Sequence, residues 1–317
     1  LTIRRPPRST LSPSSAASDV YKRQLLDGDH TYELLAYRLR ENFGAPRRVD
    51  EASVIEMDDA TRPATFNNVD REASRILITP HGPDPVLYGI RGETPEDVRR
   101  AQRLLRVYEP IEMWTIFRTN QGTDAHLTPS TTQAGEYEAV AVKGVVVSKP
   151  ITVKGGHVVF KLSDAHGVID CAAYEPTGSF RKIVKALIPG DEVIAYGGVR
   201  PAEQGRPRTI NLEKLQVVKL APLKVEANPA CQACGARLKS LGRNKGYRCR
   251  KCGRKYPRAE KQLVEKPRNL AEALYIPPPR AHRHLTKPYS RYGREKKGPD
   301  FKPPLDPSEF LWVNPQV

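Results

Sequence analysis

Four cysteines in two CxxC pairs constrain this chain more than any other feature. Cys231-Gln232-Ala233-Cys234 and Cys249-Arg250-Lys251-Cys252 are separated by 14 residues. Each pair presents two thiolates on one tight turn, and two such turns complete a tetrahedron at a metal–sulfur distance of ~2.3 Å. Gly235 and Gly253 follow the two knuckles, where a left-handed residue is wanted. The spacing predicts a structural Zn2+ site, closed because all four positions are cysteine, with a dithiol redox pair as the alternative. The fifth cysteine, Cys171, lies in an alternating apolar run with no partner nearby and reads as a small buried hydrophobe. Five cysteines in 317 residues make no secreted disulfide framework, and no apolar run approaches the ~18 residues that cross a bilayer. A reducing cytoplasm and no membrane partner are the expectation.

Net charge sharpens the picture because it is unevenly distributed. The total is +16, yet residues 25–133 hold thirteen basic and eighteen acidic side chains, whereas residues 228–261 hold eleven and one. Such asymmetry predicts cation or metal-nucleotide chemistry in front and polyanion binding behind. Arg237, Lys239, Arg243, Lys245, Arg248, Arg250 and Lys251 surround the knuckles, with Tyr247 interleaved as a stacking ring. Arg280 and Arg283, in the Arg280 to His284 strip of a Pro-rich segment expected to be extended, join the same polyanion-binding set, and His282 and His284 read as further members of the strip, with metal ligation as the alternative.

The length implies two or three modules. Residues 1–24 (LTIRRPPRSTLSPSSAASDVYKRQ) lack a starting Met and any apolar signal region. They resemble translated sequencing-adaptor read-through and are expected to be a non-native leader, with the natural protein extending upstream. Residues 25–133 read as α/β: a helix over Thr31–Asn42, strands at Val54–Met57, Ile76–Thr79 and Val86–Ile90, a helix started by Thr94-Pro95-Glu96-Asp97, and a strand at Trp114–Arg118. That order argues a ferredoxin-like domain. Residues 134–227 give strands at Tyr137–Val147, His157–Leu162, Val168–Ala173, Glu192–Val199 and Thr209–Val218, with one helix at Phe180–Leu187 between the third and fourth. This is the order of an OB-fold β-barrel. Residues 228–261 form the zinc ribbon and residues 262–317 a Pro/Arg-rich C-terminal segment, so the fold class is multidomain α+β.

Several long stretches carry a family resemblance. GDHTYELLAYR (Gly28 to Arg38), TFNN (Thr65 to Asn68), LITPHGPDPVLYGIRGE (Leu77 to Glu93), WTIFRTNQGTDAHL (Trp114 to Leu127), the OB-fold, the ribbon and PPPRAHRHLTKP (Pro277 to Pro288) occur in that order. Together they resemble the archaeal tRNA(Ile) 2-agmatinylcytidine synthetases, the TiaS family. The resemblance implies ATP-dependent joining of agmatine to the wobble cytidine of the isoleucine tRNA with a CAU anticodon: a kinase-like domain phosphorylates the cytidine 2-carbonyl oxygen, and the agmatine amine displaces the phosphate. It also implies that the front domain carries the remnant of that kinase-like domain, whose N-terminal part and autophosphorylated threonine lie outside this sequence, so that this fragment alone does not complete the reaction.

Agmatine is a dication, so its pocket needs carboxylates and amides. Candidates in irregular turns are Asp84, Glu93, Asn120, Gln121 and Asp124. Asp27, Asp29 and His30, with Asp58 and its neighbour Asp59, are candidates for holding ATP/Mg2+, since Mg2+ takes one or two carboxylates plus phosphate oxygens. A non-catalytic single-strand-binding protein is the alternative; the acidic, polar-turn front domain argues against it. A nucleotidyl transferase needs a nucleophilic lysine, and residues 25–133 contain none.

Overall fold

A computed structural model of the chain describes residues 28–83, 85–203, 205–297 and 310–316. The leader read at 1–24 and the candidates Asp27 and Asp84 lie outside the described residues. Among those described, no helix is long and apolar enough to cross a membrane.

The front domain begins with a strand where periodicity suggested a helix. In β1 (Thr31–Arg38), Tyr32, Leu34 and Ala36 share one face with period two, and Leu34 and Ala36 are fully buried. Leu35 and Tyr37, which lent the segment a helical stripe, belong to the strand's other face. The strand expected at Val54–Met57 lies instead inside α1 (Glu51–Thr61), where Ser53, Val54, Met57, Asp58 and Thr61 are buried at helical spacing. The Asp50 carboxylate caps this helix, accepting from Ala52 N at 2.9 Å and Ser53 N at 3.2 Å.

Short strands β2 (Thr65–Phe66), β3 (Val69–Asp70) and β4 (Arg75–Ile76) follow, the last all that remains of the strand expected over Ile76–Thr79. Then come β5 (Val86–Gly92), α2 (Pro95–Leu104) and β6 (Ile111–Thr119), all as expected, with the Thr94 hydroxyl accepting from Asp97 N at 3.1 Å. The antiparallel order β2-β5-β1-β6 puts the first strand of the chain between two later ones. Val54 and Met57 of α1 and Val98 and Ala101 of α2 pack with Leu34, Ala36, Ile90, Trp114 and Ile116, so both helices cover one face in a ferredoxin-like arrangement and the loops crowd the other.

After β7 (Thr128–Ser130) come β8 (Ala139–Val146), β9 (Ile151–Thr152), β10 (Val158–Asp164), β11 (Gly167–Ala173), β12 (Glu192–Arg200) and β13 (Thr209–Lys219). Pairings β8–β12, β12–β13, β13–β11, β11–β10 and β10–β8 close a five-stranded barrel. The helix α3 (Phe180–Lys185), between the third and fourth barrel strands, buries Phe180 and Val184 in the barrel core. Cys171 is fully buried there, and burial pushes its thiol far above the ordinary value.

Strands β14 (Leu223–Ala227) and β18 (Gln262–Lys266) pair as a two-stranded stem. From it hangs the ribbon, with β15 (Lys239–Ser240), β16 (Tyr247–Arg248) and β17 (Lys255–Tyr256). The C-terminal segment, expected to be extended, instead folds back along the molecule. β19 (Leu274–Tyr275) pairs with β13 of the barrel, and β20 (Leu311–Val313) adds an antiparallel edge to β6 of the front sheet.

Candidate functional site

The four cysteine sulfurs lie within 4.8 Å of one another. Cys231 Sγ to Cys252 Sγ and Cys234 Sγ to Cys249 Sγ are each 3.5 Å, close to the edge of a tetrahedron with ~2.3 Å zinc–sulfur bonds. Two four-residue turns build it: Gly235 N donates to Cys231 O at 2.8 Å and Gly253 N to Cys249 O at 3.0 Å, both glycines having left-handed φ of +68° and +75°. Cys252 N donates to Cys249 Sγ at 3.4 Å, and the Tyr256 hydroxyl lies 3.0 Å from Cys231 Sγ. This donor set fits structural zinc. The surrounding core is only Cys231, Leu238 and Cys249 with a few partly buried neighbours, too little to hold the ribbon without a metal. Lys239, Arg243, Lys245, Arg248, Arg250 and Lys251 are exposed, with no ion-pair partner among the described residues, while Arg237 donates to Asn228 O at 2.9 Å and Tyr247 packs on the knuckles.

In the front domain, the carboxylates proposed from sequence are engaged by the chain's own cations. Arg291, fully buried, enters from the C-terminal segment: its guanidinium donates to both Asp29 oxygens at 3.0 and 2.9 Å, to Glu93 at 2.7 and 3.2 Å, and to Gly122 O at 2.7 Å. Lys296 reaches Glu93 O, His30 O at 3.0 Å and, through its backbone N–H, Asp29 at 3.0 Å. Asp124 pairs with the buried Lys214 of β13 and accepts from Lys287 N at 2.8 Å; burial lowers Lys214 below the ordinary lysine value, against the pull of Asp124. Asp58 pairs with Arg71 and accepts from Asn68 Nδ2 at 3.2 Å, and Asp59 also pairs with Arg71. His30 is buried and shifted down by that burial. Among the described residues, the four cysteines are the one cluster of three or more His, Cys, Asp or Glu able to hold a metal. Asp29, His30 and Asp58 are not part of such a cluster: Asp29 is held by Arg291 and Asp58 by Arg71.

What the structure brings together instead surrounds the TFNN turn. One cleft, of about 380 Å3, is lined by Glu33, Leu35, Phe66, Asn67, Asn68, Ile78, Gly89, Arg91 and His284 among others. Glu33 accepts from Gln121 Nε2 at 2.5 Å and from Arg91 Nε at 3.0 Å. Gly89 makes room for Leu35 on the cleft wall, since a side chain there would stand 2.9 Å from the Leu35 Cδ2. Asn68 Oδ1 and Gln121 Oε1 are buried acceptors without a donor among the described residues. Asn120, next in the chain to Gln121, is buried, its backbone carbonyl accepting from the Thr123 hydroxyl at 2.6 Å. Glu33 escaped sequence reasoning because its segment read as helix, whose phase hides the pairing of Glu33 with Arg91 across β1 and β5.

A wider cavity, of about 770 Å3, lies on the other side of Phe66 and Asn67. Asp58, Arg62, Arg71, Ser179, Pro277, Pro278, Pro279, His282, Pro288 and Tyr289 contribute to its lining. His282 is not part of a cationic strip: its Nε2–H donates to Pro277 O at 2.8 Å, and burial pushes the imidazole down to about 4. Arg280 pairs with Asp70 and Glu72, each at 2.7 Å, and Arg283 lies 3.2 Å from Glu213. These two arginines tie the C-terminal segment to the front domain and the barrel.

Three family models match: the TiaS FLD domain over residues 15–126, the OB-fold nucleic acid binding domain over 140–218, and the TiaS C-terminal zinc ribbon domain over 228–270. The tRNA 2-agmatinylcytidine synthetase TiaS of Staphylothermus marinus is 46% identical over 293 residues, covering 92% of this chain and 63% of the relative. That of Methanosarcina mazei is 43% identical over 269 residues, covering 84% and 61%. The crystal structure of apo TiaS superposes with a TM-score of 0.73 at 41% identity, covering 83% of this chain and 61% of that one. A complex of TiaS with its isoleucine tRNA, AMPCPP and agmatine gives 0.69 at 38% identity, covering 83% and 60%. The chain thus spans about three fifths of the length of the curated relatives it matches. With a front domain, barrel and four-cysteine ribbon in the same order and two of the three models specific to it, the chain belongs to the TiaS family.

Proposed function

We propose that this chain is the tRNA- and amine-handling part of an enzyme that joins agmatine to the wobble cytidine of the CAU-anticodon isoleucine tRNA at the expense of ATP. The observation that carries the reading is the 38% identity and TM-score of 0.69 to TiaS caught with isoleucine tRNA, AMPCPP and agmatine. The geometry supports it in two places. The Glu33 cleft offers a carboxylate and amide oxygens to a cation and the apolar sides of Leu35, Phe66 and Ile78 to four methylenes. Gln121 supports that cleft through Glu33, whereas Glu93 and Asp124 serve it indirectly by anchoring the C-terminal segment. The wider cavity, walled by prolines, Phe66 and Tyr289, suits a splayed-out base. Arg237, Lys239, Arg243, Lys245, Arg248, Arg250 and Lys251 of the ribbon hold the tRNA backbone.

The test is separation of binding from turnover. The chain alone is expected to bind agmatine and the isoleucine tRNA yet to leave the tRNA unmodified with ATP present, as read by mass spectrometry of the digested nucleosides. Glu33→Gln should weaken agmatine at least tenfold in calorimetry. A chain that binds neither ligand would overturn the reading, and agmatidine made by the chain alone would overturn the claim that it is incomplete.

A further inference from the structure

Asn67 stands at the wall between the two cavities. With Phe66 it lines both the Glu33 cleft and the wider proline-walled cavity. Its backbone is left-handed, with φ of +58°, a conformation that only Gly adopts freely and that Asn tolerates better than most other residues. Glycine would satisfy that turn with less strain, so the turn by itself does not call for an amide. Among its neighbours, Thr65 Oγ1 lies 2.6 Å from Thr61 Oγ1 and accepts from Asn68 Nδ2 at 2.9 Å, and the same Asn68 NH2 reaches Asp58, so that Asn68 has an acceptor left but no donor to spend. The half-buried Asn67 amide has no hydrogen-bond partner among the described residues. Strain retained at a residue whose polar group is unspent, on a wall shared by two cavities, marks a place where ligands supply the missing partners.

From this arrangement we infer that the Asn67 side chain is a substrate-contacting residue for both halves of the joining reaction, its oxygen accepting from the amine held in the Glu33 cleft and its NH2 donating to an acceptor on the base held in the wider cavity. The inference rests on the function proposed above. An amide presents an acceptor and a donor on two separate atoms, so each can face a different cavity at the same time. Two substrates that must form one bond have to meet at a boundary common to both sites, and Phe66, the other shared residue, has no polar atom to offer.

Three variants of the chain test it, each titrated with agmatine and, separately, with an RNA stem–loop carrying a CAU anticodon. Asn67→Gly keeps the left-handed turn and deletes the amide; it should melt no lower than wild type and lose at least tenfold in affinity for both probes. Asn67→Asp keeps an acceptor and loses the donor, so it should hold agmatine within about threefold and lose about tenfold for the RNA. Asn67→Ala should follow the glycine variant in binding while melting lower. Wild-type affinities in Asn67→Gly would overturn the inference and leave the functional reading standing. Loss confined to one probe in Asn67→Gly would overturn the two-sided role. A wild-type chain that binds neither probe would overturn the functional reading and the inference with it.

Discussion

The Tyr256 hydroxyl, 3.0 Å from the Cys231 sulfur, shows what one oxygen outside the metal shell can do. A zinc-bound thiolate carries no proton, so the phenol is the donor, and it draws charge from the ligand while fixing its direction. Tyr256→Phe is expected to weaken Zn2+ by roughly tenfold to a hundredfold in competition with a chelating dye; unchanged affinity would reduce the contact to packing. His282 makes a different prediction, in pH. Its folded value of about 4 lies below the ordinary ~6.5, so between those limits the unfolded chain binds a proton that the folded chain refuses. This contribution is fully present above about pH 6.5 and is lost as pH falls toward 4, to the extent of about 3 kcal/mol. His282→Gln should flatten that limb of the stability curve, measured as the melting temperature against pH. If the variant loses stability with acid as steeply as wild type, the shift has another source.

At the scale of elements, the decisive one is the strap that ends in Arg291. A guanidinium with no exposed surface, shared between Asp29 and Glu93, cannot be removed without leaving two carboxylates partly uncompensated. Arg291→Met is expected to cost about 3 to 5 kcal/mol in urea unfolding, and Arg291→Lys less, because it keeps the charge and loses the fork. A neutral outcome for Arg291→Met would mean that Lys296 and Lys287 carry the load. Sequence made some elements plain and concealed others for physical reasons. The barrel was legible because its strands alternate along one buried and one wet face, and the knuckles because metal ligation dictates spacing. β1 was concealed because Leu35 and Tyr37 are half-buried on the face away from the helices, which blurs the period of two. The strap was concealed because its pairing with Asp29 joins residues 262 positions apart, and no local pattern reports such a partner. The same distance explains why Glu93 and Asp124 read as free acids and turned out to be anchors.

For the whole molecule, the sequence-level division between an acidic front and a basic rear survives in altered form. Part of the rear's charge is spent inside, on Asp29, Asp70, Glu93 and Asp124, and the ribbon cations remain for an outside polyanion. Affinity for tRNA should fall linearly on a log–log plot against salt, and Arg243→Gln with Lys245→Gln should reduce that slope by about 1.4 to 1.8 if both side chains touch phosphate; a slope that does not change would take them out of the interface. The fold-back of the C-terminal segment has a further consequence, for synthesis. The barrel strands lie between residues 139 and 219, so the ribosome delivers a complete barrel while β6 still lacks β20 and Asp29 still lacks Arg291. The front domain, translated ahead of the barrel, settles after it. A message cut short before the codon for Arg291 would therefore release a chain with a sound barrel and an unquenched acidic front, a species marked for proteolysis rather than for partial work.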